Sequence, residues 1–439
     1  MKHKSPFFIT FLLIILSFRS LYGAEKVFIT KELSLIFDRD ISSTRTIIQI
    51  FIRGGKKAEP AQQLGLAYLT TRLAVEIHDT VKRKKIIQMG SRIGFQIEDD
   101  FCVISINCLS RYLAETLEIF SEIFNRPLFS SLRTNRIKKH LNYFQKSEQD
   151  NDITLMELSL REAFFGSSGY GGSIYGDSES IKRIKPKHIS RFHKQYFSLN
   201  NMTIAVSSDL EISKIKGSLL NIINDFPAGE KNKSVPATIK IPEKREYFIK
   251  KERKQTLVAV GVCSDLINPQ HAAHTFLLEN LIGKGLGSKL WLLREKEKLA
   301  YLVNATIIQM KDMGILSIYL KTDKVKKEDA YQKLNQLVLD LYETEITQSE
   351  LDMHKNYAKA DFLILNESKA NRAYNLAFFQ SLGLGYQYLE SLEKEIDKID
   401  INDFNSFKKE VLNPENLVRV IIGPENNEVK SLNEPKNEM

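Results

Sequence analysis

The sequence predicts an α+β protein made of two homologous domains in tandem, each a mostly antiparallel β-sheet packed with α-helices. Two observations support this prediction. Strands and helices follow one another without the strict alternation of βαβ units, which favours antiparallel sheets. The order of elements in the first half then recurs in the second half. A chain of 439 residues, 43% of them hydrophobic, is long enough for two or three domains with cores of their own.

Hydrophobic periodicity places the elements in a definite order, with apolar runs predicting strands and a 3.6-residue period predicting helices. The first half has strands at 33–37 and 46–53, a helix at 62–77, strands at 93–97 and 101–108, and helices at 112–124 and 132–165. The second half has a strand at 257–263, helices at 271–281 and 288–297, strands at 301–309 and 315–321, and helices at 329–342 and 349–379.

The ends of the two halves align residue by residue. Six apolar positions of the first half become six apolar positions of the second when 215 is added to each number. They are Ile181, Ile184, Ile189, Phe192, Tyr196 and Phe197, which align with Ile396, Ile399, Phe404, Phe407, Val411 and Leu412. Asn201 aligns with Asn416 in the same way. We infer an internal duplication, with domains at 25–226 and 247–439 joined by a Pro- and Gly-containing linker at 227–246.

The first 24 residues have the pattern of a secretory signal peptide. Lys2 and Lys4 precede an apolar run at 6–18, and Arg19 ends it. Thirteen apolar residues are too few to span a bilayer, so stable membrane insertion is not predicted, although a retained anchor is the alternative. We expect export, to a bacterial periplasm. Removal of the signal lowers the net charge from +9 to +6, and so mild a charge on an exported protein argues against nucleic acid as a partner.

The cysteines of this sequence predict neither disulfide bonds nor a metal site. The chain has three cysteines, an odd and low number that gives no disulfide framework and no Cys-x-x-Cys metal module.

A specific motif begins at Gly54-Gly55-Lys56-Lys57-Ala58-Glu59 and continues through 64–72, Leu-Gly-Leu-Ala-Tyr-Leu-Thr-Thr-Arg. It resembles the entry to the zinc helix of the pitrilysin/insulinase family, which includes the mitochondrial processing peptidases. The family pattern H-x-x-E-H places two zinc-binding His on one helical face, and its Glu is the general base. The corresponding residues here are Tyr68, Thr71 and Arg72, none of which suits its role. The family's third ligand falls near Phe144 or Gln145, or at Glu148 if a gap is allowed.

The resemblance continues along the mature chain. The small-residue turn at 89–94, the glycine-rich loop at 165–171 and the helix start at 349–351 each resemble a family segment. The most specific match has a glycine-rich loop with Gly283, Gly285, Gly287 and Ser288, followed by Arg294 and Tyr301. In the family, this Arg and Tyr reach across a clamshell and hydrogen-bond the substrate backbone. Guanidinium and phenol donors suit carbonyl oxygens and a developing oxyanion. Lys298 stands where the family has Gly, at a turn that needs a positive φ.

Two other interpretations of these motifs are weaker. The spacing in the glycine-rich loop does not match the G-x-x-x-x-G-K-S/T of phosphate-binding loops. His271 and His274 have helical spacing suited to a metal, but with only Glu279 nearby a structural helix face is favoured.

Two hypotheses of different class follow from the resemblance. The first is a non-catalytic, substrate-binding subunit of a heterodimeric zinc metalloendopeptidase, with Arg294 and Tyr301 holding the peptide. It implies a partner of similar size with an intact H-x-x-E-H, zinc in that partner, and no cofactor in this chain. The second is a catalytically dead scaffold or peptide-binding protein of the same fold. A lone enzyme with unconventional ligands is the third and weakest. The retained Arg and Tyr favour the first hypothesis.

Overall fold

The computed structural model describes residues 23–223, 226–230, 245–311 and 313–425. The predicted signal peptide, apart from its last two residues, and most of the predicted linker lie outside these ranges. Within them, the chain forms two compact units, each built on one β-sheet. No helix in the described part of the chain is both long and apolar enough to cross a bilayer.

The first sheet has six strands in the order β1-β2-β6-β3-β5-β4. The strands are β1 (Glu25–Phe28), β2 (Ser34–Arg39), β3 (Arg45–Arg53), β4 (Arg92–Ile97), β5 (Phe101–Leu109) and β6 (Met202–Ser208). Every neighbouring pair is antiparallel except β2 and β6, which are parallel. The β4 strand lies at one edge of this sheet, beside β5.

Eight helices lie in the described first half of the chain. They are α1 (Leu66–Ala74), α2 (Thr80–Gln88), α3 (Leu113–Asn125), α4 (Ser131–Asp150), α5 (Asp152–Phe165), α6 (Ser178–Arg183), α7 (Pro186–Tyr196) and α8 (Ile212–Ile223). Apolar residues of the sheet and of α1, α3, α4, α6, α7 and α8 form one core, which includes all of the fully buried leucines of α1.

The second sheet repeats the topology of the first with one strand fewer. Its order is β7-β11-β8-β10-β9, from β7 (Glu246–Lys250), β8 (Gln255–Ser264), β9 (Leu302–Gln309), β10 (Gly314–Asp323) and β11 (Val418–Gly423). Here too a single pair, β7 and β11, is parallel. The helices are α9 (Ala272–Gly283), α10 (Lys289–Glu295), α11 (Lys327–Glu343), α12 (Gln348–Leu365), α13 (Lys369–Leu382), α14 (Tyr388–Lys398) and α15 (Ile401–Val411).

The duplication is visible in single hydrogen bonds, where a lysine in each half donates to matching backbone oxygens. In the first half, Lys138 Nζ donates to the backbone oxygens of Lys182 and Ile184. In the second half, Lys355 Nζ donates to the backbone oxygens of Asp397 and Ile399. The acceptor pairs are those that the 215-residue shift aligns, so the predicted homology of the two halves is confirmed in topology and in detail.

The compact units differ from the predicted domains in which helices they contain. Within the described residues, the first unit draws on Met1–Gln145, Ser168–Pro236 and Lys359–Glu395, and the second on the ranges between and after these. The α5 helix thus packs on the second sheet, so closely that a Cβ at Gly261 would lie 2.5 Å from Leu160 Cδ2. In return, α13 packs on the first sheet, where the Tyr374 ring lies 5.1 Å from the Phe51 ring.

Two long predicted helices are each divided by a helix cap. The helix predicted at 132–165 ends before Asn151, whose side chain accepts hydrogen bonds from the next helix's N–H groups. The helix predicted at 349–379 is interrupted before Ser368, which caps α13 in the same manner. In a continuous helix, the backbone N–H groups at these positions would bond to carbonyls of the preceding turn. Because a side chain accepts from them instead, Asn151 and Ser368 each mark the start of a new helix. The sequence prediction also missed β1 and β7 and the helices α2, α6, α7, α8, α14 and α15.

Candidate functional site

The entry to α1 is held by a buried carboxylate. Glu59 accepts hydrogen bonds from the backbone N–H groups of Gly65, at 2.9 Å, and Ala67, at 2.7 Å. Gly65 has a φ of +91°, a conformation that favours glycine. Burial raises the pKa of Glu59 to about 8, against the effect of these two donors and of the Lys56 charge. Glu59 therefore caps the helix rather than facing a ligand.

The glycine-rich loop after α5 packs against this entry. Lys56 is buried and donates to the backbone oxygens of Tyr170 and Gly172, at 2.8 and 2.9 Å. A Cβ at Gly176 would lie 2.1 Å from the backbone oxygen of Leu64. These contacts explain why the predicted loop and the predicted helix entry occur together in one sequence, since each fixes the backbone of the other.

The three positions of the degenerate zinc motif lie on α1 in the first unit. Tyr68 is part of an aromatic cluster, with ring centroids 5.3 Å from Phe95, 6.2 Å from Phe144 and 5.2 Å from Tyr175. Thr71 is fully buried, and its Oγ1 donates to the backbone oxygen of Ala67 at 2.8 Å. The first position is therefore filled by an aromatic ring and the second by a hydroxyl already used inside the helix.

Arg72, at the third position, belongs to a cluster of guanidinium groups around Glu76. Arg133 Nη2 lies 2.6 Å from Glu76 Oε2, and Arg136 also donates to this carboxylate. Arg72 is more distant, with Nη2 3.8 Å from Glu76 Oε1. Burial raises the pKa of Glu76, but the arginines outweigh it and leave the pKa lowered. The sequence prediction missed this cluster, although Arg133 and Arg136 stand three residues apart on one helix.

The residues at the expected third-ligand position also lack metal chemistry. The Phe144 ring stacks on Tyr175 at 5.1 Å, and Gln145 Nε2 donates to the backbone oxygens of Tyr175 and Gly176. The Tyr68 phenol, the Thr71 hydroxyl that already donates to Ala67, and the permanently charged Arg72 do not form a zinc donor set. Within the described residues, no group of three or more His, Cys, Asp or Glu side chains is placed to hold a metal. The residues present do not fit the family's zinc.

The glycine-rich loop of the second half lies in the second unit, between α9 and α10. Gly283 lies against β9, where a Cβ would be 2.2 Å from the Ala305 nitrogen. Gly285 and Gly287 have φ values of +78° and +90°. Ser288 follows as the residue before α10 and is buried. The loop needs glycine for its backbone shape, whatever it binds.

Arg294 and Tyr301 are both exposed in the second unit. Arg294 has a side-chain exposure of 51% and lies 3.2 Å from the Glu295 carboxylate. Tyr301 has an exposure of 60%, and its hydroxyl donates to Asp323 Oδ2 at 2.6 Å. Between them, Lys298 has a φ of +50°, which is the conformation expected where the family has glycine. Tyr301 itself precedes β9, which begins one residue later than the predicted strand.

The two histidines considered as metal ligands have other partners. His274 Nε2 lies 2.7 Å from Asp403 Oδ2, and His271 Nδ1 lies 3.0 Å from the backbone oxygen of Asp265. Both rings pack beside Phe407, at 5.2 and 5.3 Å. This packing supports the structural interpretation of the pair.

The fold and the motif positions define a class: a metallopeptidase-like protein of two related units, with Tyr68, Thr71 and Arg72 at the positions of the metal motif. Comparison with known families agrees. The family model described as Insulinase (Peptidase family M16) matches residues 36–178, and the one described as Peptidase M16 inactive domain matches residues 183–357. The chain therefore belongs to the M16, or insulinase, peptidase family.

Individual proteins similar to this chain span nearly its whole length. It is 25% identical over 390 residues to the non-peptidase homolog YmxG of Helicobacter pylori, covering 86% of this chain and 89% of that protein. It is 19% identical over 403 residues to the uncharacterized zinc protease YmxG of Bacillus subtilis, covering 90% and 96%. The crystal structure of a peptidase M16 inactive domain from Pseudomonas fluorescens superposes with a TM-score of 0.83 at 22% identity, covering 92% and 99%. At that identity the structural match shows the fold alone.

Proposed function

We propose that this chain is the non-catalytic, substrate-binding subunit of a heterodimeric zinc metalloendopeptidase. Its partner is a homologous chain with an intact H-x-x-E-H motif, which supplies the metal and the general base. Arg294 and Tyr301 of this chain hold the peptide. We further propose that the N-terminal signal directs the chain out of the cytoplasm, to a bacterial periplasm, where the partner also resides.

The observation that carries the proposal is the exposure of Arg294 and Tyr301 on either side of the turn at Lys298. Lys298 adopts a positive φ of +50°, at an energetic cost that a non-glycine residue bears only where the backbone demands it. Lys298 thus adopts a conformation that glycine, the family's residue at this position, adopts readily. Both flanking side chains remain more than half exposed, so each is accessible to a peptide.

The hydrogen bond from Tyr301 to Asp323 is compatible with this role. It is solvent exposed, so exchanging it for a bond to a peptide carbonyl loses little. The hydrogen bond to Asp323 and the charge of that carboxylate raise the pKa of Tyr301 and keep the phenol protonated as a donor. Arg294 offers a fixed fork of donors to the backbone oxygens of an extended peptide.

A cleavage assay with the two chains tests the proposal. A quenched-fluorescent peptide library is mixed with this chain, with a similar-sized H-x-x-E-H chain that co-purifies with it, and with both. We expect cleavage by the mixture, no cleavage by this chain alone, and a fall of about 10²–10³-fold in turnover for Tyr301→Phe in the mixture. Arg294→Lys is expected to lower the rate as well, because Lys keeps the charge and loses the fork.

Matched control variants separate substrate binding from general damage. Tyr331→Phe removes another hydroxyl of the second unit, one that donates to Glu246. Arg39→Lys changes an exposed arginine that also has one carboxylate partner, Glu211 at 2.6 Å. Neither is expected to change the rate. If Tyr301→Phe and Arg294→Lys both leave the rate of the mixture within a factor of two, the pair is structural and the proposal fails.

The second candidate is a scaffold or peptide-binding protein without proteolysis. The aromatic cluster around Tyr68 favours it, because the rings occupy the place of a metal site with an apolar surface. The similar Helicobacter pylori protein is also described as a non-peptidase homolog. Peptide binding by this chain, with no gain in cleavage when the co-purifying chain is added, is the result that selects this candidate.

A further inference from the structure

The first unit carries an open surface where aromatic rings and arginines meet. We define the aromatic–arginine surface by its rings and its exposed guanidinium groups, which are Tyr68, Tyr143, Phe144, Tyr175, Arg72 and Arg136. The rings are continuous: Phe144 stacks on Tyr175 at 5.1 Å and meets Tyr143 edge-on at 6.3 Å. Tyr143 is 74% exposed and Phe144 is 36% exposed. A cluster that served only to fill a core would be covered.

The arginines beside these rings outnumber the carboxylates that pair with them. Three guanidinium groups share the single carboxylate of Glu76, which leaves two positive charges uncompensated within the cluster. Arg133 is mostly buried against Glu76 and holds it in place. Arg72 and Arg136 have side-chain exposures of 38% and 55%, so their remaining donors face solvent.

The charge of the surrounding helix has the same sign. Residues 126–146, which include most of α4, contain six Lys and Arg residues and no Asp or Glu. Arg72 lies one helical turn from Tyr68, and its charge acts on the Tyr68 hydroxyl. The positive charge and the rings therefore form one surface rather than two separate patches.

We propose that the aromatic–arginine surface binds an acidic peptide segment in which a carboxylate neighbours an aromatic or large apolar side chain. Guanidinium groups recognise carboxylates with two parallel hydrogen bonds, which fixes the position of the side chain. The exposed rings offer stacked and edge-on contacts to a neighbouring apolar group. Because the surface is open, it fits an extended chain better than a small enclosed ligand. The binding needs no second subunit, so it stands independently of the proposed role in proteolysis.

Fluorescence anisotropy with a matched pair of peptides tests this inference. One labelled nonapeptide, blocked at both ends, contains three Phe-Glu pairs separated by glycine, and its twin contains Phe-Gln pairs. We expect the acidic peptide to bind at least tenfold more tightly in 50 mM salt, and this preference to shrink in 500 mM salt. Equal binding of the two peptides, or no binding by 1 mM protein, overturns the proposal.

Surface variants assign the binding to this site. The double variant Arg72→Gln/Arg136→Gln leaves Arg133 to hold Glu76, and its folding is checked by its thermal melting curve. It should reduce binding of the acidic peptide to the level of the glutamine twin. Tyr143→Ala should weaken both peptides, whereas Arg39→Gln, at a distant ion pair with Glu211, should change neither. An equal loss in the Arg39 variant, or self-association of the chain that the double variant abolishes, would refute peptide recognition at this surface.

Discussion

Returning a carboxyl to the general-base position should destabilise this protein and confer no activity. Thr71 is fully buried, and its hydroxyl is bonded to the backbone oxygen of Ala67 at 2.8 Å. In Thr71→Glu, the new side chain has two more non-hydrogen atoms, and overpacking of a core costs about 1–3 kcal/mol. Without two neighbouring histidines, the carboxyl has no metal-bound water to activate.

The charge of the new glutamate adds a second cost to the free energy of folding. The buried carboxyl of Glu59, which lies near the start of the same helix, indicates its size. Burial raises the pKa of Glu59 from 4.5 to about 8, although two backbone N–H groups donate to its carboxylate. A carboxyl at position 71 has no such donors, because the helix uses its own N–H groups there. It should therefore be protonated in the folded state at pH 7. Holding a proton on a group whose unfolded pKa is about 4.5 costs about 3 kcal/mol at that pH.

Urea unfolding of Thr71→Glu and Thr71→Gln, followed by circular dichroism, measures this cost. Glutamine reproduces the size and polarity without the charge. A folded pKa that is raised makes the penalty absent below about pH 4.5 and largest above about pH 8. We expect the two variants to be equally stable at pH 4.5 and to differ by about 3 kcal/mol at pH 7. A difference below about 1 kcal/mol at pH 7 would mean that a carboxylate at position 71 is hydrated. The description of this position as buried and without room for a charged group would then be wrong.

Three further predictions concern other sites. Burial lowers the pKa of His193 to about 4, so the contribution of His193 to stability should be complete above about pH 6.5 and fall by about 2 kcal/mol from pH 7.5 to pH 5. Urea unfolding of the native protein and of His193→Phe at both pH values measures this contribution, because the other titrating groups affect both proteins alike. Lys298→Gly should stabilise the protein by about 0.5–1 kcal/mol because it relieves a positive φ, whereas Lys296→Gly, at a φ of −84°, should destabilise it. The dialysed mature chain should contain no stoichiometric zinc by mass spectrometry; about one zinc per chain would contradict the assignment of Tyr68, Thr71 and Arg72.

The sequence predicted topology better than it predicted packing partners. The shift of 215 aligned Asn201 with Asn416 because both end equivalent short helical turns before the last strand of a sheet. The breaks at Asn151 and Ser368 were missed because apolar periodicity continues across both caps. Periodicity also shows which face of a helix is buried but does not show which sheet covers it. For that reason the sequence did not predict that α5, from the first half, packs on the second sheet and that α13, from the second half, packs on the first.

For the candidate site, too, the sequence predicted positions but not the contacts that those positions make. Motif register located the third-ligand position near Phe144, but the stacking of that ring on Tyr175 joins residues 31 positions apart through the folded loop. The sharing of Glu76 by Arg133 and Arg72 likewise joins two helices whose pairing no spacing reveals. Local motifs thus identified the positions, and tertiary contacts determined what those positions do.

The motifs that this chain keeps do not all bear equally on its function. Glu59 caps α1, and Gly176 admits the backbone of Leu64, so both are needed for folding whether or not a metal binds. Their presence supports the fold and leaves activity open. Arg294 and Tyr301 are different, because each is largely exposed and packs into no core. Loss of either would cost the fold little, so a role in binding explains their presence better than a role in stability. The choice between a proteolytic subunit and a scaffold therefore rests on variants at these two exposed side chains, and substitutions in the buried motif cannot decide it.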